Sequence, residues 1–268
     1  SGITVSPQPS LTGEQIYFYT NASDLPSDTT IYNVNSAYYN GSGRYAEKAS
    51  PVPASIAPTT QEFSFGTWIY ANQITGQHMI VNTGYNAPYW DIYIEGSVLF
   101  FRISDTNTVS ISASTLLSSW NHIAFVKNHS GTQGGFTGEM EIYLNGAKQT
   151  VTVNNRTSNL DILDAGGTSK PFSLGRRSFT GDRFLNAYMS FSSLYIGTAL
   201  SQVQIDNDYN INQPICPLES SNSSILTEAW DGGNFNGNTG SEFVGLKGVM
   251  NLTPTSITYT DQGLQVEC

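Results

Sequence analysis

Charge is scarce in this 268-residue chain: Asp, Glu, Lys and Arg together make up 12% of it, roughly half the usual share. Long solvated helices need such residues. Their scarcity, beside 12% aromatics and abundant Ser, Thr, Asn and Gly, argues against a helical protein and for a β protein. Cations are scarcer still. Eleven Lys and Arg against 21 Asp and Glu give a formal charge of −10 and a pI near 4.6. A surface of that sign repels a phosphate backbone, which excludes nucleic acid as a partner. No window approaches the ~20 uninterrupted apolar residues of a membrane span. The first residues, SGITVSPQPS, lack a basic region followed by an apolar run. The expectation is a soluble chain without membrane insertion, compatible with earlier processing.

Cysteine is nearly absent too. Cys216 and Cys268 lie 52 positions apart and neither sits in a CxxC, which argues against a zinc site. If the two pair, closing the loop stabilises by roughly 4 kcal/mol in the chain-entropy model and implies an oxidising compartment. Two unrelated buried thiols are the open alternative. Sequons at Asn21, Asn40, Asn128, Asn155, Asn222 and Asn251 are compatible with secretion, but chance alone yields about as many in so Asn-, Ser- and Thr-rich a chain. With only His78, His122 and His129 available and no GxSxG elbow, a Ser/His/Asp triad has few bases to draw on.

What is present is alternation. From about residue 31 to 200 short apolar-alternating segments are separated by turn residues, the spacing of a sandwich or barrel. FSFGTWIYA (63–71), WDIYIEG (90–96), VLFFRIS (98–104), VSISAS (109–114), WNHIAFVKN (120–128), MEIYLNG (140–146) and QTVTVN (149–154) read as strands joined by hairpins. In the second of these Trp90, Ile92 and Ile94 share one face, and Asp91, Tyr93 and Glu95 the other. Asn145-Gly146 is the clearest hairpin turn, since both residues tolerate positive φ. ALSQVQIDNDY (199–209) is the best helix candidate, about two turns with Leu200, Val203 and Ile205 partly inward. Residues 1–30 read as a polar arm with one stretch, IYFYT (16–20), able to add an edge strand. Residues 213–268 read as a small β appendage tied down by the cysteines.

Several segments, in this order, resemble the laminin-G-like branch of the concanavalin A-like lectin and glucanase superfamily. NSAYYNGSGRYAEK (35–48) is similar to the opening strand and turn of such domains, and FSFGTWIYA to their first core strand. LLSSWNHIAFVKN followed by GEMEIYLNGAKQT is similar to their W-x-H-[IV]-A strand and [LI]-Y-[LV]-[ND]-G turn. SLGRRSFTGDRFLNAYMSFSSLYIGTALSQVQI resembles their closing segment, although the usual F-x-G reads Phe184-Leu185-Asn186 here. The resemblance covers roughly residues 31 to 205. It implies an all-β antiparallel jelly-roll sandwich over residues 31–212, with the C-terminal appendage added. Trp68, Trp120 and Gly175 then read as scaffold, and His122 as a structural histidine.

A fold shared by lectins, hydrolases, lyases and adhesion modules does not fix the chemistry. The superfamily's hydrolases carry an E-x-D-x-E strand. Here Asp91, Tyr93 and Glu95 occupy one face with tyrosine in the centre, and Glu139 and Glu141 belong to a hairpin strand. Gln77-His78 matches only two residues of a lyase motif, and no R-x-E-x-R strand accompanies it. The expectation is therefore no enzyme. Laminin-G-like domains often bind Ca²⁺ at the rim, and the resemblance implies Asp91, Ser104 and Asp164 as ligands. For glycans, TGYNAPYWD (83–91) offers Tyr85, Asn86, Tyr89 and Trp90, and AWDGGNFNGN offers Trp230, although Trp90 has core parity with Ile92 and Ile94. Arg176, Arg177 and Arg183 form the one basic cluster, able to hold an anionic sugar or to pair with Asp182. The sequence thus reads as a secreted, virion-surface or cell-surface module that recognises a glycan or a protein partner. A self-assembling structural subunit is the main alternative and a polysaccharide-degrading enzyme the third.

Overall fold

The computed structural model describes residues 31–50, 52, 62–84, 89–103, 107–128, 140–155, 171–178, 180–209, 222, 224–230, 245–247, 252–255 and 258–267. For 31–35, 228–230, 245–247, 253–255 and 258–267 it describes the backbone alone. The arm before residue 31, with its candidate edge strand, lies outside the described residues, as do Cys216 and Cys268.

The alternating segments form the strands β1 (Ile31–Asn40), β2 (Tyr45–Lys48), β3 (Phe63–Ala71), β4 (Gln77–Asn82), β5 (Trp90–Glu95), β6 (Val98–Ile103), β7 (Asn107–Ser112), β8 (Trp120–Lys127) and β9 (Met140–Leu144). After them come β10 (Ala147–Lys148), β11 (Thr152–Asn155), β12 (Phe172–Leu174), β13 (Asn186–Ile196), β14 (Glu228–Trp230), β15 (Gly245–Lys247), β16 (Thr253–Thr255) and β17 (Thr258–Glu267). One sheet runs β10-β9-β8-β3-β13-β1-β17, with β14 also on β13 and β15 on β14. The other runs β11-β7-β6-β5-β4-β12-β2-β16, and every described pairing between strands is antiparallel. The expected all-β antiparallel sandwich is the observed fold.

Period-2 alternation places one set of side chains between the sheets. Phe63, Phe65, Ile69, Ile123, Phe125 and Leu194 come from the first sheet, and Ile80, Trp90, Ile92, Leu99, Phe101, Phe172 and Leu174 from the second, in a single core. Its centre is aromatic. Trp90 lies 4.7 Å from Phe63 and 6.0 Å from Phe65, while Phe101 meets Phe63 and Phe125 edge-on at 6.0 and 5.6 Å. Tyr39 of the first sheet reaches across to Gly175 beyond β12, where a Cβ would lie 2.2 Å from its ring and where φ is +84°. Both the close approach and the left-handed backbone require glycine there.

The Asn145-Gly146 turn forms as expected, with φ of 50° and 76°. Its second strand differs from the expected one: β10 is only two residues long, and the chain then crosses to the other sheet, where β11 pairs with β7. The described strands after residue 213 pair with strands of the sandwich. β17 pairs with β1, β14 with β13 and β16 with β2, so they extend both sheets. Pairing with existing strands satisfies their backbone groups.

The helix α1 (Gln202–Tyr209) begins at Ser201, whose hydroxyl and backbone N–H both meet the Gln204 side chain, a capping arrangement. Leu200 and Ile205 are buried against Ala124, Val126, Tyr143 and Tyr195, but Val203 points outward and is 67% exposed. The helix thus roofs the outer face of the first sheet. Tyr209 stacks on Trp68 and on His122, with ring centroids 5.6 and 6.0 Å away. Burial alone lowers the His122 pKa to about 4. Between pH 6.5 and 4 the unfolded chain therefore takes up a proton that the folded chain refuses, so stability falls as pH drops across that window. Denaturant midpoints should show about 3 kcal/mol of this loss absent from His122→Phe. A variant that keeps the full pH dependence would contradict the assignment.

Candidate functional site

The outer face of the second sheet is built by the residues that alternate with its core positions. Asp91, Arg102 and Thr108 stand opposite one another on β5, β6 and β7; the next row is Tyr93, Phe100 and Ser110, and it continues to Thr152 on β11. Asp91 is fully buried and accepts from Arg102 Nε at 2.9 Å and from the second nitrogen of the same guanidinium. That guanidinium lies over the rings of Tyr89 and Tyr93, at 5.2 and 5.0 Å. Burial works against the charge on Arg102, but the hydrogen bond and the charge of Asp91 outweigh it and raise its pKa. Burial likewise pushes the Tyr93 phenol up. Tyr93 in turn stacks on Phe100 at 4.9 Å with the planes 13° apart.

Phe100 borders a groove of about 580 Å³. Its walls come from β6 and β7, from the edge strand β11, from Gln149 and Thr150 after β10, and from Leu144 of β9 in the other sheet. Serine and threonine hydroxyls dominate, among them Ser110, Ser112 and Thr152; Gln149 and Asn154 add amides, and Phe100 supplies an aromatic ring. None of the lining side chains is charged. A partly exposed ring beside hydroxyl and amide donors can pack on the apolar face of a sugar while bonding its hydroxyls.

Of the residues expected from sequence to bind ligand, Tyr89, Trp90, Arg177 and Asp91 have internal partners or core positions. Trp90 is 1% exposed and belongs to the core, and Tyr89, at 3%, lies beneath Arg102. Neither ring can stack on a sugar, because parity turns Trp90 inward and the Arg102 side chain covers Tyr89. Trp230 ends β14, opposite Ser192, rather than standing in a loop. Arg177 is held within its own turn by Asp182, at 2.8 and 2.7 Å, and by Thr180 at 2.6 Å, so the pairing alternative holds and the guanidinium is engaged. Burial acts to raise the Asp182 pKa, but the bonds from Arg177 and Thr180 prevail and lower it. Tyr85, Asn86, Ser104 and Asp164 lie outside the described residues.

At Asp91, one of the residues expected to hold calcium, the carboxylate is paired with the Arg102 guanidinium. Among the described residues no three His, Cys, Asp or Glu side chains converge as ion ligands. The carboxylates weighed for catalysis are also engaged: Glu95 accepts from Gln77, and Glu141 accepts from Tyr143 at 2.6 Å and from Lys148 at 2.5 Å. Glu139 lies outside the described residues. His78 sits between the Phe184 and Thr75 carbonyl oxygens, at 2.9 and 2.8 Å. Phe100 and the hydroxyls around it were missed in the sequence. The available signal was a phenylalanine at a polar-parity position of VLFFRIS.

Comparison with known proteins agrees with this architecture. The Laminin_G_3 family model, described as the concanavalin A-like lectin/glucanases superfamily, matches residues 40–206. No curated protein matches the chain. Among solved structures, a candidate carbohydrate-binding protein from Bacteroides ovatus ATCC 8483 is similar in fold, with a TM-score of 0.61 at 16% identity. The match covers 87% of this chain and 61% of that one, so this chain spans about three fifths of its length. The CBM40 domain of the Ruminococcus gnavus IT-sialidase, bound to α2,3-sialyllactose, matches with a TM-score of 0.48 at 12% identity, covering 65% of this chain and 97% of that one.

The ion pair in the row next to Phe100 makes a direct prediction. Asp91→Ala leaves the Arg102 charge without its carboxylate and should cost about 3 kcal/mol, while the joint change Asp91→Leu with Arg102→Met should recover most of it. Chemical denaturation of the two variants checks both arms.

Proposed function

Because the chain belongs to the Laminin_G_3 family of the concanavalin A-like lectin/glucanases superfamily, we propose that it is a non-catalytic glycan-binding module. The observation that carries this reading is the groove beside Phe100, uncharged, lined by hydroxyls and two amides, and bordered by an aromatic ring. Its lining suits a neutral sugar better than an acidic one, since no cation stands there to meet a carboxylate. The fold neighbour described as a candidate carbohydrate-binding protein is in keeping with it. The absence of catalysis is supported by the engagement of Asp91, Glu95 and Glu141 with internal partners. A glycosidase would need two carboxylates facing one bond across an open cleft. An extracellular, virion-surface or cell-surface setting is part of the proposal. The structural-subunit alternative draws on edge strands such as β11, whose four residues are all exposed.

A glycan array followed by calorimetry tests the reading. Neutral mono- or disaccharide epitopes should bind, and Phe100→Ala should weaken binding tenfold or more without lowering stability by more than about 1 kcal/mol. An array without binding, or binding indifferent to Phe100, would contradict it.

A further inference from the structure

The first sheet carries a feature that the groove does not explain. Tyr38, Tyr188, Tyr70 and Trp120 stand directly opposite one another on β1, β13, β3 and β8, four neighbouring strands. All four are partly exposed and lie on the face away from the core. At about 4.8 Å per strand spacing the row is roughly 14 Å long. Tyr38 and Tyr188 stack at 4.8 Å with planes 25° apart. Tyr70 meets Tyr188 and Trp120 edge-on, at 5.8 Å and 6.0 Å. Burial, together with the neighbouring phenols Tyr38 and Tyr70, pushes the Tyr188 phenol up, so it remains a hydrogen-bond donor.

The surroundings narrow the ligand. On one side the adjoining row, Trp68 and His122, is roofed by Tyr209, so the exposed rings form a strip one residue wide. On the other side lie the amides of Asn72, Gln73 and Asn186, joined by side-chain hydrogen bonds of 3.4 Å. Bonds that long and exposed are readily exchanged for ligand hydroxyls. Neither the row nor this amide group contains a carboxylate, in a chain with ten more acids than Lys and Arg. Arg44 lies over Tyr38, 5.1 Å from the ring centroid.

We infer that this row is a second binding platform, taking an extended glycan chain laid across the strands. Ring surface alternating with phenol and amide groups matches a ligand that alternates apolar sugar faces with hydroxyls. Its length exceeds a single sugar, which makes the ligand a chain. A strip is also too narrow for the roughly 800 Å² per partner of a stable protein interface. Cross-strand aromatic pairs stabilise a sheet on their own account, but that role does not require the acid-free amide border. The platform is on the sheet opposite the groove and stands independently of it.

The test is amide-resolved NMR titration of the full chain with four probes: cellohexaose, laminarihexaose, xylohexaose and mannohexaose. At least one should move the amides of Tyr38, Tyr70, Trp120 and Tyr188 in a saturable way. Tyr188→Ala should weaken that binding tenfold or more, and Phe100→Ala should leave it unchanged. Should Tyr188→Ala fail to fold, Trp120→Ala at the end of the row must show the same loss. Shifts confined to Phe100, Ser110 and Thr152 would overturn the platform and leave the groove reading standing. The absence of shifts with all four probes would overturn the platform, whatever the array shows. Concentration-dependent shifts of the row without sugar would overturn it in favour of a second copy of the chain.

Discussion

The indole of Trp90 sits between the two sheets, against Phe63 and Phe65 of one and Phe172 of its own, and the placement of every other residue on β5 follows from that contact. With Trp90, Ile92 and Ile94 directed inward, Asp91, Tyr93 and Glu95 must face out. Asp91 then meets Arg102 on the next strand, Arg102 covers Tyr89 and Tyr93, and Tyr93 supports Phe100 at the edge of the groove. A single apolar contact in the core thereby sets the chemistry of the outer face on the neighbouring strand. The same constraint operates in the first sheet, where inward Phe63, Phe65 and Ile69 leave Trp68 and Tyr70 outside.

Strand alternation was legible because it is local. WDIYIEG shows its two faces directly, and Asn145-Gly146 announces its turn through the residues that tolerate positive φ. What the strands pair with was not legible. QTVTVN looks like the return strand of its hairpin, yet it leaves for the other sheet, since the choice depends on which edge is open in three dimensions. The C-terminal strands likewise join edges formed some 200 residues earlier. The superfamily resemblance supplied the sandwich, but it ended near residue 205 and was silent about these additions.

The site was less legible than the fold. Aromatic residues in a Pro-containing loop look like sugar ligands, but composition does not separate a ring that stacks on a ligand from one that fills a core. Parity does, and it had already set Trp90 with Ile92 and Ile94. The pairing of Asp91 with Arg102 likewise depends on cross-strand register, which the sequence does not display. The row of Tyr38, Tyr188, Tyr70 and Trp120 is dispersed over 151 positions of sequence and becomes a feature only through strand register. Aromatic rings stand among polar side chains on both outer faces of the sandwich, Tyr93 and Phe100 on one and the row from Tyr38 to Trp120 on the other.

The most direct test of this account is a double-mutant cycle between Trp90→Ala and Phe63→Ala, read by equilibrium denaturation. If the indole closes the sandwich, each single change should cost about 3–5 kcal/mol, with a coupling of about 0.5–1.5 kcal/mol between them. Additive losses below about 1 kcal/mol each would mean that Trp90 lies outside the core. The outward assignment of Asp91, Tyr93 and Phe100 would then fall with it.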